Sequence, residues 1–545
     1  MMPHTSTVSG RIVDLIHSDI YEGSVVICNG KIADIKKEPV CNRQYIMPGF
    51  IDSHVHIESS MLPPAEFARI AVCHGTVASI SDPHEIANVL GIEGIKYMIK
   101  NGQLSPFKFY FGAPPCVPAT NFETSGCTID AQAIAELMKM DNIYFLSEMM
   151  NYPGVLAKDT DIMKKIQAAL DYHKPIDGHA PTLKNESLET YIQSGISTDH
   201  ECFSIQEAIE KIQLGVKILI REGSAAKNFD TLIPLMHTYP HMLMFCSDDK
   251  HPHDLIKGHI NTLVKKAVNM GYNIMDVLKA ASVNVIQHYK LDVGLLQKGD
   301  SADFIVVDNL QSFNILQTYI KGILVARNSR PLLPFIHSDT PNRFISNPIR
   351  QEDIAVEPQG KDIKVIVCHD KQLNTDSIIA KPKIENNNIV SDTDRDILKM
   401  VVVNRYTPSK PAIGFIRNIG LKQGAIASSI AHDSHNIIAV GVTDKDITNA
   451  VNLIIKHQGG VVAYSPRKQE TLPLPIAGLM SADNGYSVAD TYEKVNTLTH
   501  QLGSALNAPL MTLAFMSLLV IPELKLSDQG LFDAAKFNFT SLFVE

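Results

Sequence analysis

The first stretch of the chain alternates apolar and polar residues in short runs separated by glycine and asparagine. Residues 7–47 contain three such runs, TVSGRIVDL, GSVVICNGKIADI and QYIMPG, and Asn29-Gly30 in the second is a strong hairpin signal. Side chains on a strand alternate between two faces, so this period of two predicts strands with one buried face. We therefore predict a small β-domain at the start of the chain.

The pattern changes at Phe50, after which short apolar runs alternate with amphipathic segments as far as about Gln287. The apolar runs are GFIDSHVH, GTVASISDP, KFYFGAP, IYFLSEMM, PIDGHAP, ISTDHE, VKILIRE and LMFCSDD. The amphipathic segments include residues 64–73, 129–139, 161–172 and 183–194. Eight strands that alternate with helices over about 240 residues predict a TIM-like (β/α)8 barrel in the α/β class.

Strand-like alternation returns at residues 291–327, so we predict that this segment completes the first β-domain and that the barrel is inserted between its halves. From about residue 361, further strand patterns and a helix with Thr443 as its N-cap predict an α/β or α+β domain. Residues 509–522 read as a buried core helix. The predicted domains are 1–48 with 291–335, the barrel 49–290, a linker 336–360, and the C-terminal domain 361–545.

Composition narrows the class of protein. The chain has 545 residues, of which 45% are hydrophobic and 20% charged, and its net charge of −9 gives no electrostatic footprint for nucleic acid or an anionic membrane. The N-terminus shows no signal-peptide pattern, and the 8 cysteines form no CxxC pair, so we expect a cytoplasmic protein with structural thiols. The unusual feature is 21 histidines, several of them beside Asp or Glu.

Two of these histidines flank Val55 at the end of the first predicted barrel strand. On a strand, residues i and i+2 point the same way, so His54 and His56 are expected to project into one space. Two neutral imidazoles directed at one point suit a divalent transition metal. Alone, the pair is more simply explained as an exposed polar strand end.

Four more strand ends carry metal-ligand residue types: Glu148, His179, His200 and Asp248. Each alone has a structural explanation, such as a buried histidine bonded to backbone or a carboxylate that caps the next helix. Together with His54 and His56, they follow predicted strands 1, 4, 5, 6 and 8. The carboxyl ends of barrel strands meet at the rim that holds the active site, so this clustering favours a metal site.

These motifs resemble those of the amidohydrolase superfamily, and PGFIDSHVHIESS, SDPHEIANVLG, FLSEMMNYPGV, DGHAPTL, STDHE and CSDDKHPHDL closely resemble those of bacterial adenine deaminases. GAIASSIAHDSHNIIAVG and LPLPIAGLMS extend the resemblance into the C-terminal domain. It implies deamination of adenine at C6 to hypoxanthine and ammonia, a step of purine salvage. Where many relatives use a carboxylated lysine on strand 4, this chain has Glu148.

The resemblance implies roles for these residues. The metal ligands would be His54, His56, Glu148, His179, His200 and Asp248. Glu148 would bridge two divalent ions, with Mn or Fe favoured and Zn possible. Asp248 would also act as general base and then general acid for an activated water. The expected partner is adenine, with no nucleic acid or membrane, and we expect a homo-oligomer, a dimer.

Ring deamination also needs an acid near the purine, and Glu85 in SDPHE is the candidate. His84 is a candidate further ligand or substrate contact, although DPHE is also explained as the cap of a helix IANVLGIEGIKYMI. Other candidate substrate contacts are Asp249, Asn151 and His435. For His435, within the run HDSHN, we rank a hydrogen-bonded turn above a lid over the barrel, and a lid above an extra metal site.

Two other functions are compatible with the same motifs. One is a different binuclear amidohydrolase that acts on a cyclic amide or an N-acyl amine. The other is a non-catalytic assembly protein on the same scaffold, against which the intact ligand set argues.

Overall fold

The computed structural model describes residues 5–544, so residues 1–4 and 545 of the predicted outer domains lie outside it. The chain begins with four strands, β1 (Thr5–Asp14), β2 (Asp19–Cys28), β3 (Lys31–Lys37) and β4 (Tyr45–Pro48). Strands β1, β2 and β3 pair antiparallel, whereas β4 lies parallel to β1. Asn29 and Gly30 join β2 to β3 with φ of 51° and 80°, the positive values that a tight hairpin turn requires. The predicted hairpin is confirmed.

The barrel follows at once, and each of the eight predicted apolar runs contains one of its strands. They are β5 (Phe50–Val55), β6 (Thr76–Ser81), β7 (Lys108–Ala113), β8 (Ile143–Met149), β9 (Ile176–Gly178), β10 (Ile196–Asp199), β11 (Lys217–Arg221) and β12 (Leu243–Cys246). Neighbouring strands pair parallel in chain order. The first and last come together where the Asp248 amide donates to the His54 carbonyl at 3.0 Å. The predicted (β/α)8 architecture is confirmed.

Helices connect the barrel strands. They are α1 (Pro64–Ala71), α2 (His84–Leu90), α3 (Ile92–Gly102), α4 (Ala131–Met138), α5 (Tyr152–Leu156), α6 (Thr160–Asp171), α7 (Asn185–Gln193), α8 (Ile205–Gln213), α9 (Phe229–Leu232), α10 (Pro252–Lys257), α11 (Ile260–Asn269), α12 (Ile274–Ala280) and α13 (Val283–Tyr289). The prediction of one continuous helix after Asp82 is wrong. Gly91, with φ of 60° and ψ of −141°, divides it into α2 and α3, because this backbone conformation cannot continue a helix.

After the barrel the chain returns to the first sheet. It adds β13 (Phe304–Val307), β14 (Ile315–Ile320), β15 (Ile323–Arg327) and β16 (Arg330–Pro331). Strand β13 pairs antiparallel with β4, which gives one sheet in the order β16-β15-β14-β13-β4-β1-β2-β3. Both ends of the barrel segment therefore join the same sheet. Residues 336–350 contain no helix or strand.

The C-terminal part is built on a mixed sheet. Its strands, with those of two smaller sheets, are β17 (Asp362–Cys368), β18 (Thr375–Ala380), β19 (Lys383–Glu385), β20 (Asn388–Val390), β21 (Ile397–Val403), β22 (Ala412–Arg417), β23 (Ala425–Ser428), β24 (Ile437–Gly441), β25 (Gly460–Tyr464), β26 (Gln469–Pro473), β27 (Leu524–Ser527), β28 (Gly530–Asp533), β29 (Asn538–Phe539) and β30 (Phe543–Val544). The main sheet has the order β18-β17-β22-β21-β24-β23-β25-β26, with β30 beside β17. Strands β27, β28 and β29 form a separate sheet.

Three helices complete this part, α14 (Asp444–His457), α15 (Gly485–Gln501) and α16 (Pro509–Ala514). Thr443 caps α14 as predicted, with its side chain accepting from the Asp446 amide at 3.1 Å. The long core helix predicted over residues 509–522 is wrong, because α16 ends at Ala514 and a short 3₁₀ turn follows. Residues 509–519 are nevertheless buried. Within residues 5–544, no helix combines the length and apolarity that crossing a membrane needs.

The C-terminal part packs directly on the carboxyl end of the barrel. The Gly485 amide at the start of α15 donates to the Glu66 carboxylate of α1 at 2.8 Å, and the Ser481 amide donates to the Met61 carbonyl at 2.9 Å. One continuous apolar core contains residues of both parts. The strand ends that carry the candidate ligands are therefore covered by protein.

Candidate metal centre

The paired histidines meet as their spacing predicts. His54 lies on β5 and His56 directly follows it, and their Nε2 atoms are 3.2 Å apart. Both side chains are buried. The Nδ1 of His56 lies 3.2 Å from the Asp82 carbonyl oxygen, which leaves Nε2 directed at the centre of the barrel mouth. A contact of this kind fixes the ring orientation of a metal-binding histidine.

Glu148, on β8, lies between two sets of imidazoles. Its Oε2 is 2.7 Å from Nδ1 of His179 and 3.3 Å from Nε2 of His200. Its Oε1 is 3.4 Å from Nε2 of His56 and 3.4 Å from Nδ1 of His84. Burial alone would raise the pKa of Glu148, but the neighbouring His179 and His200 hold it well below its usual range. The carboxylate is therefore ionised, and each oxygen faces a different pair of nitrogens.

Asp248 closes the group from the eighth strand. Its Oδ1 lies 3.2 Å from Nε2 of His56 and 3.6 Å from Nε2 of His54, and its Oδ2 accepts from Arg221 at 2.5 Å. Arg221 also holds Glu201 in a two-pronged ion pair. Burial raises the pKa of Asp248, but the Arg221 charge outweighs it and keeps the pKa well below its ordinary value. Arg221 thus fixes one oxygen and leaves the other facing the histidines.

Asp249 faces the same cavity although it is next to Asp248 in the chain. Asp248 has a φ of 52°, in the left-handed region that aspartate tolerates better than most residues. This conformation breaks the alternation of a strand, so both carboxylates line the cavity.

The donor set fits divalent metal ions. Four buried groupings place one ligand atom from each residue within 4.8 Å of the others. They are His54 with Glu148 and His200, His54 with His56 and Asp248, His56 with Asp82, His84 and Glu148, and His179 with His200 and Glu201. Among the described residues, the buried Nδ1 of His84 and Nε2 of His179 have no hydrogen-bond partner. Imidazole and carboxylate donors without thiolate suit Zn, Fe, Mn or Co.

A second polar group lies beside the first. The Ser59 hydroxyl is 2.8 Å from Oε1 of Glu85 and 2.6 Å from Oδ1 of Asp249. His432 approaches the same two carboxylates from the C-terminal domain. Glu58 lies behind this group, and burial together with the Glu85 charge raises its pKa to about 8. Glu85 itself does not line the cavity, whereas Asp249 and His432 do.

The cavity above these groups is narrow, with a volume of about 30 Å³, and is lined by side chains from both parts of the chain. The barrel supplies the polar floor. The C-terminal domain supplies His432 and Asp433 and four apolar side chains, Leu373, Phe515, Leu518 and Ile521, which we call the roof.

Two predicted substrate contacts do not line this cavity. The Asn151 side chain caps α5 by accepting from the Gly154 amide at 2.9 Å, so its oxygen is directed at a helix end. His435 is fully buried behind His432, with 5.6 Å between the two ring centroids. The run HDSHN forms the predicted hydrogen-bonded turn, with the His435 amide donating to the Ala431 carbonyl at 2.6 Å. It also has the position of a lid over the barrel, because Oδ1 of Asp433 lies 3.7 Å from Nε2 of His84.

The structure adds site residues that the sequence reasoning did not single out. Asp82 directly follows β6, Glu201 follows β10 by one residue after His200, and Arg221 is the last residue of β11. The same rule that found the other ligands, polar residues at strand ends, applies to all three. His432 and Asp433 belong to the run HDSHN, which the sequence offers as a lid. The sequence does not show which side chains of that run reach the cavity, because a contact across domains leaves no periodic trace.

The chain is similar to known proteins over nearly its whole length. Residues 45–325 match the model of the amidohydrolase family, and residues 372–538 match that of the adenine deaminase C-terminal domain. The chain is 52% identical to an adenine deaminase of Methanosarcina mazei, covering 98% of this chain and 99% of the relative. It is 51% identical to one of Salinibacter ruber, with full coverage of both chains.

Solved structures match part of the chain. A dihydroorotase is 18% identical with a TM-score of 0.45, and the match covers 60% of this chain and 99% of that structure. An adenosine deaminase of Xanthomonas campestris with bound zinc is 14% identical with a TM-score of 0.44, covering 60% of this chain and 94% of that structure.

Proposed function

The chain belongs to the adenine deaminase family of the amidohydrolases, and we propose that it hydrolyses adenine at C6 to give hypoxanthine and ammonia. The observation that carries this proposal is identity of about half of all residues with adenine deaminases over the full length of the chain. The similarity includes the C-terminal domain that covers the cavity.

We propose that two divalent ions, with Mn or Fe favoured over Zn, are held by His54, His56, Glu148, His179, His200 and Asp248. The distances around Glu148 support this assignment, because its two oxygens face separate pairs of imidazoles. His84 is a further candidate ligand. When bound, such ions lower the pKa of a water molecule towards neutrality and make it a nucleophile at pH 7.

Asp248 is the proposed proton carrier of the reaction. Its Oδ2 is occupied by Arg221, so Oδ1 is the oxygen that accepts a proton from the attacking water and returns it to the leaving amine. Water adds to C6 as one of its protons passes to Asp248 and a ring nitrogen is protonated. The bond from C6 to the exocyclic nitrogen then breaks, the amine leaves as ammonia with the proton from Asp248, and the C6 hydroxyl releases its proton to restore the ring acid as the carbonyl forms. Fixing one oxygen keeps the other in the geometry that proton transfer needs.

Protonation of the purine ring falls to the second polar group. Asp249 lines the cavity, and the Ser59 hydroxyl connects it with Glu85 at 2.6 and 2.8 Å. We therefore assign the ring acid to Glu85, acting through Ser59 and Asp249. His432, which approaches both carboxylates, completes the set.

The decisive test is turnover by purified, metal-loaded protein offered adenine, adenosine, cytosine and hydantoins separately. We expect the ultraviolet spectrum of adenine to change to that of hypoxanthine with release of one ammonia, and no turnover of hydantoins. Hydantoin hydrolysis without adenine turnover would overturn the proposal. Elemental analysis of the same sample identifies the metal and its ratio to protein.

We further propose a cytoplasmic homodimer that acts in purine salvage. The eight cysteines form no disulfide, which suits a reducing compartment. Light scattering of the purified chain tests the dimer, and fractionation of cells that produce it tests the location.

A further inference from the structure

The roof of the cavity is made of two chain segments that are far apart in sequence. Leu373 belongs to the connection between β17 and β18, whereas Phe515, Leu518 and Ile521 follow α16. The Phe515 ring stacks on His432, with centroids 4.4 Å apart and planes 3° from parallel. The position of the roof therefore depends on whatever holds these two segments together.

A fully buried lysine joins them. The Nζ of Lys525, on β27, donates to the Leu373 carbonyl at 2.8 Å and to the Phe515 carbonyl at 3.0 Å. Within residues 5–544, Lys525 forms no salt bridge. Burying a cationic group is costly unless it is paired, so an apolar side chain would be the cheaper occupant. The lysine is explained by its hydrogen bonds, which tie two cavity-lining residues to one point.

We propose that Lys525 is a positioning residue that holds the roof over the substrate cavity and so limits the site to the free purine base. The inference rests on the proposed function, because it takes C6 of adenine to lie at the ligand cluster of the floor. N9 is on the other ring of the purine, away from C6, and the inference places it beneath the roof, whose side chains line the same cavity. A substituent on N9, such as the ribose of a nucleoside, would collide with the closed roof.

A second buried lysine of the same domain provides a matched control. Lys399 is equally inaccessible to solvent, and its Nζ donates to the Ile354 carbonyl at 3.0 Å and pairs with Asp444 at 2.7 Å. Within residues 5–544, its Nζ forms no hydrogen bond or ion pair with a residue of the roof. Comparing substitutions of the two lysines therefore distinguishes the effect of losing any buried lysine from the effect of losing the contacts to the roof.

The test compares Lys525→Met with Lys399→Met in the full-length, metal-loaded protein. We expect Lys525→Met to raise KM for adenine by about tenfold, with a smaller change in kcat and unchanged metal content. We also expect the ratio of adenine to adenosine turnover to fall. Lys399→Met should lower thermal stability but leave KM and that ratio unchanged.

Equal kinetic effects of the two substitutions, or loss of metal from Lys525→Met alone, would overturn the inference. If Lys525→Met does not fold, Leu518→Ala tests the roof directly, since removing that side chain should admit adenosine without loss of metal. A Leu518→Ala variant with the selectivity of the parent protein would also overturn it. Failure of the parent protein to deaminate adenine would instead refute the proposed function, so the two failures are distinguishable.

Discussion

Oε2 of Glu148 lies 2.7 Å from Nδ1 of His179, and the other nitrogen of that histidine is buried without a hydrogen-bond partner among the described residues. The opposite oxygen of Glu148 faces His56 and His84 at 3.4 Å each. One carboxylate thus connects histidines from different strands of the barrel. Such an arrangement is unfavourable without a cation to offset the buried charge and to satisfy the free nitrogen.

Glu148→Gln should therefore remove metal. The amide keeps the shape of the side chain but loses the charge, so it cannot neutralise two cations. We expect metal content and adenine turnover to fall together by at least about a hundredfold, measured by elemental analysis and steady-state rates. Glu66→Gln is the control, because Glu66 is also a buried acid but pairs with Arg69 on α1. A Glu148→Gln protein with full metal content would contradict the bridging role.

His54→Ala and His56→Ala test the paired motif. Each substitution removes one of two nitrogens that lie 3.2 Å apart, so we expect lower metal content and activity with the circular dichroism spectrum retained. The rough size of the activity loss is again about a hundredfold. His288→Ala serves as the control, since His288 contacts Ser197 near the amino end of β10. Full activity in either test variant would show that the motif was misread.

Most of the barrel could be predicted from the sequence because its signals are local. The parallel strands are largely buried on both faces, so each corresponds to a short apolar run in the sequence. Each run ends close to the end of the observed strand. Because side chains alternate along a strand, the sequence alone predicts that His54 and His56 lie together on β5. Gly91 shows the limit of such reasoning, because a helical pattern on both sides of it concealed a break in the backbone.

Another part of the site could not be predicted, because it depends on contacts across domains. Asp433 reaches His84, and Phe515 reaches the cavity, only after the C-terminal part has packed on the barrel. Asn151 illustrates the reverse case. Asn151 is close to Glu148 in the sequence, but its side chain caps α5. The residue types alone do not distinguish a helix cap from a substrate contact.

Asp433→Asn tests the contribution of the C-terminal domain to the site. Burial raises the pKa of Asp433, but His432 and His84 outweigh it and hold the carboxylate ionised. Its Oδ1 lies 3.2 Å from Nδ1 of His432 and 3.7 Å from Nε2 of His84. Loss of the charge should free both rings, and we expect adenine turnover to fall by about tenfold or more.

Metal content distinguishes a loss of turnover through Asp433 from loss of the metal centre. We expect Asp433→Asn to keep more than half of the metal content of the parent protein. Asp444→Asn is the matched control, because Asp444 is paired with Lys399 in the same domain. Unchanged kinetics in Asp433→Asn would show that the domain only covers the barrel.

The buried lysine under the roof gives a prediction about stability and pH. Burial lowers the pKa of Lys525 from 10.5 to about 7. Between these two values the unfolded chain holds a proton that the folded chain does not, so the free energy of unfolding rises with pH across this interval. The expected slope is about 1.4 kcal/mol per pH unit. Below pH 7 both states are protonated, and the folded protein carries the full cost of a buried ammonium.

Lys525→Met removes this dependence, because methionine does not titrate. We therefore expect the melting temperature of the parent protein, relative to that of Lys525→Met, to be higher at pH 9 than at pH 6. Taking the difference between two proteins cancels the titration of every other group that they share. Lys399→Met should show a smaller change with pH, since the Asp444 charge offsets part of the burial of Lys399. If the melting temperatures of the parent and Lys525→Met differ by the same amount at pH 6 and at pH 9, Lys525 keeps its ordinary pKa in the folded protein.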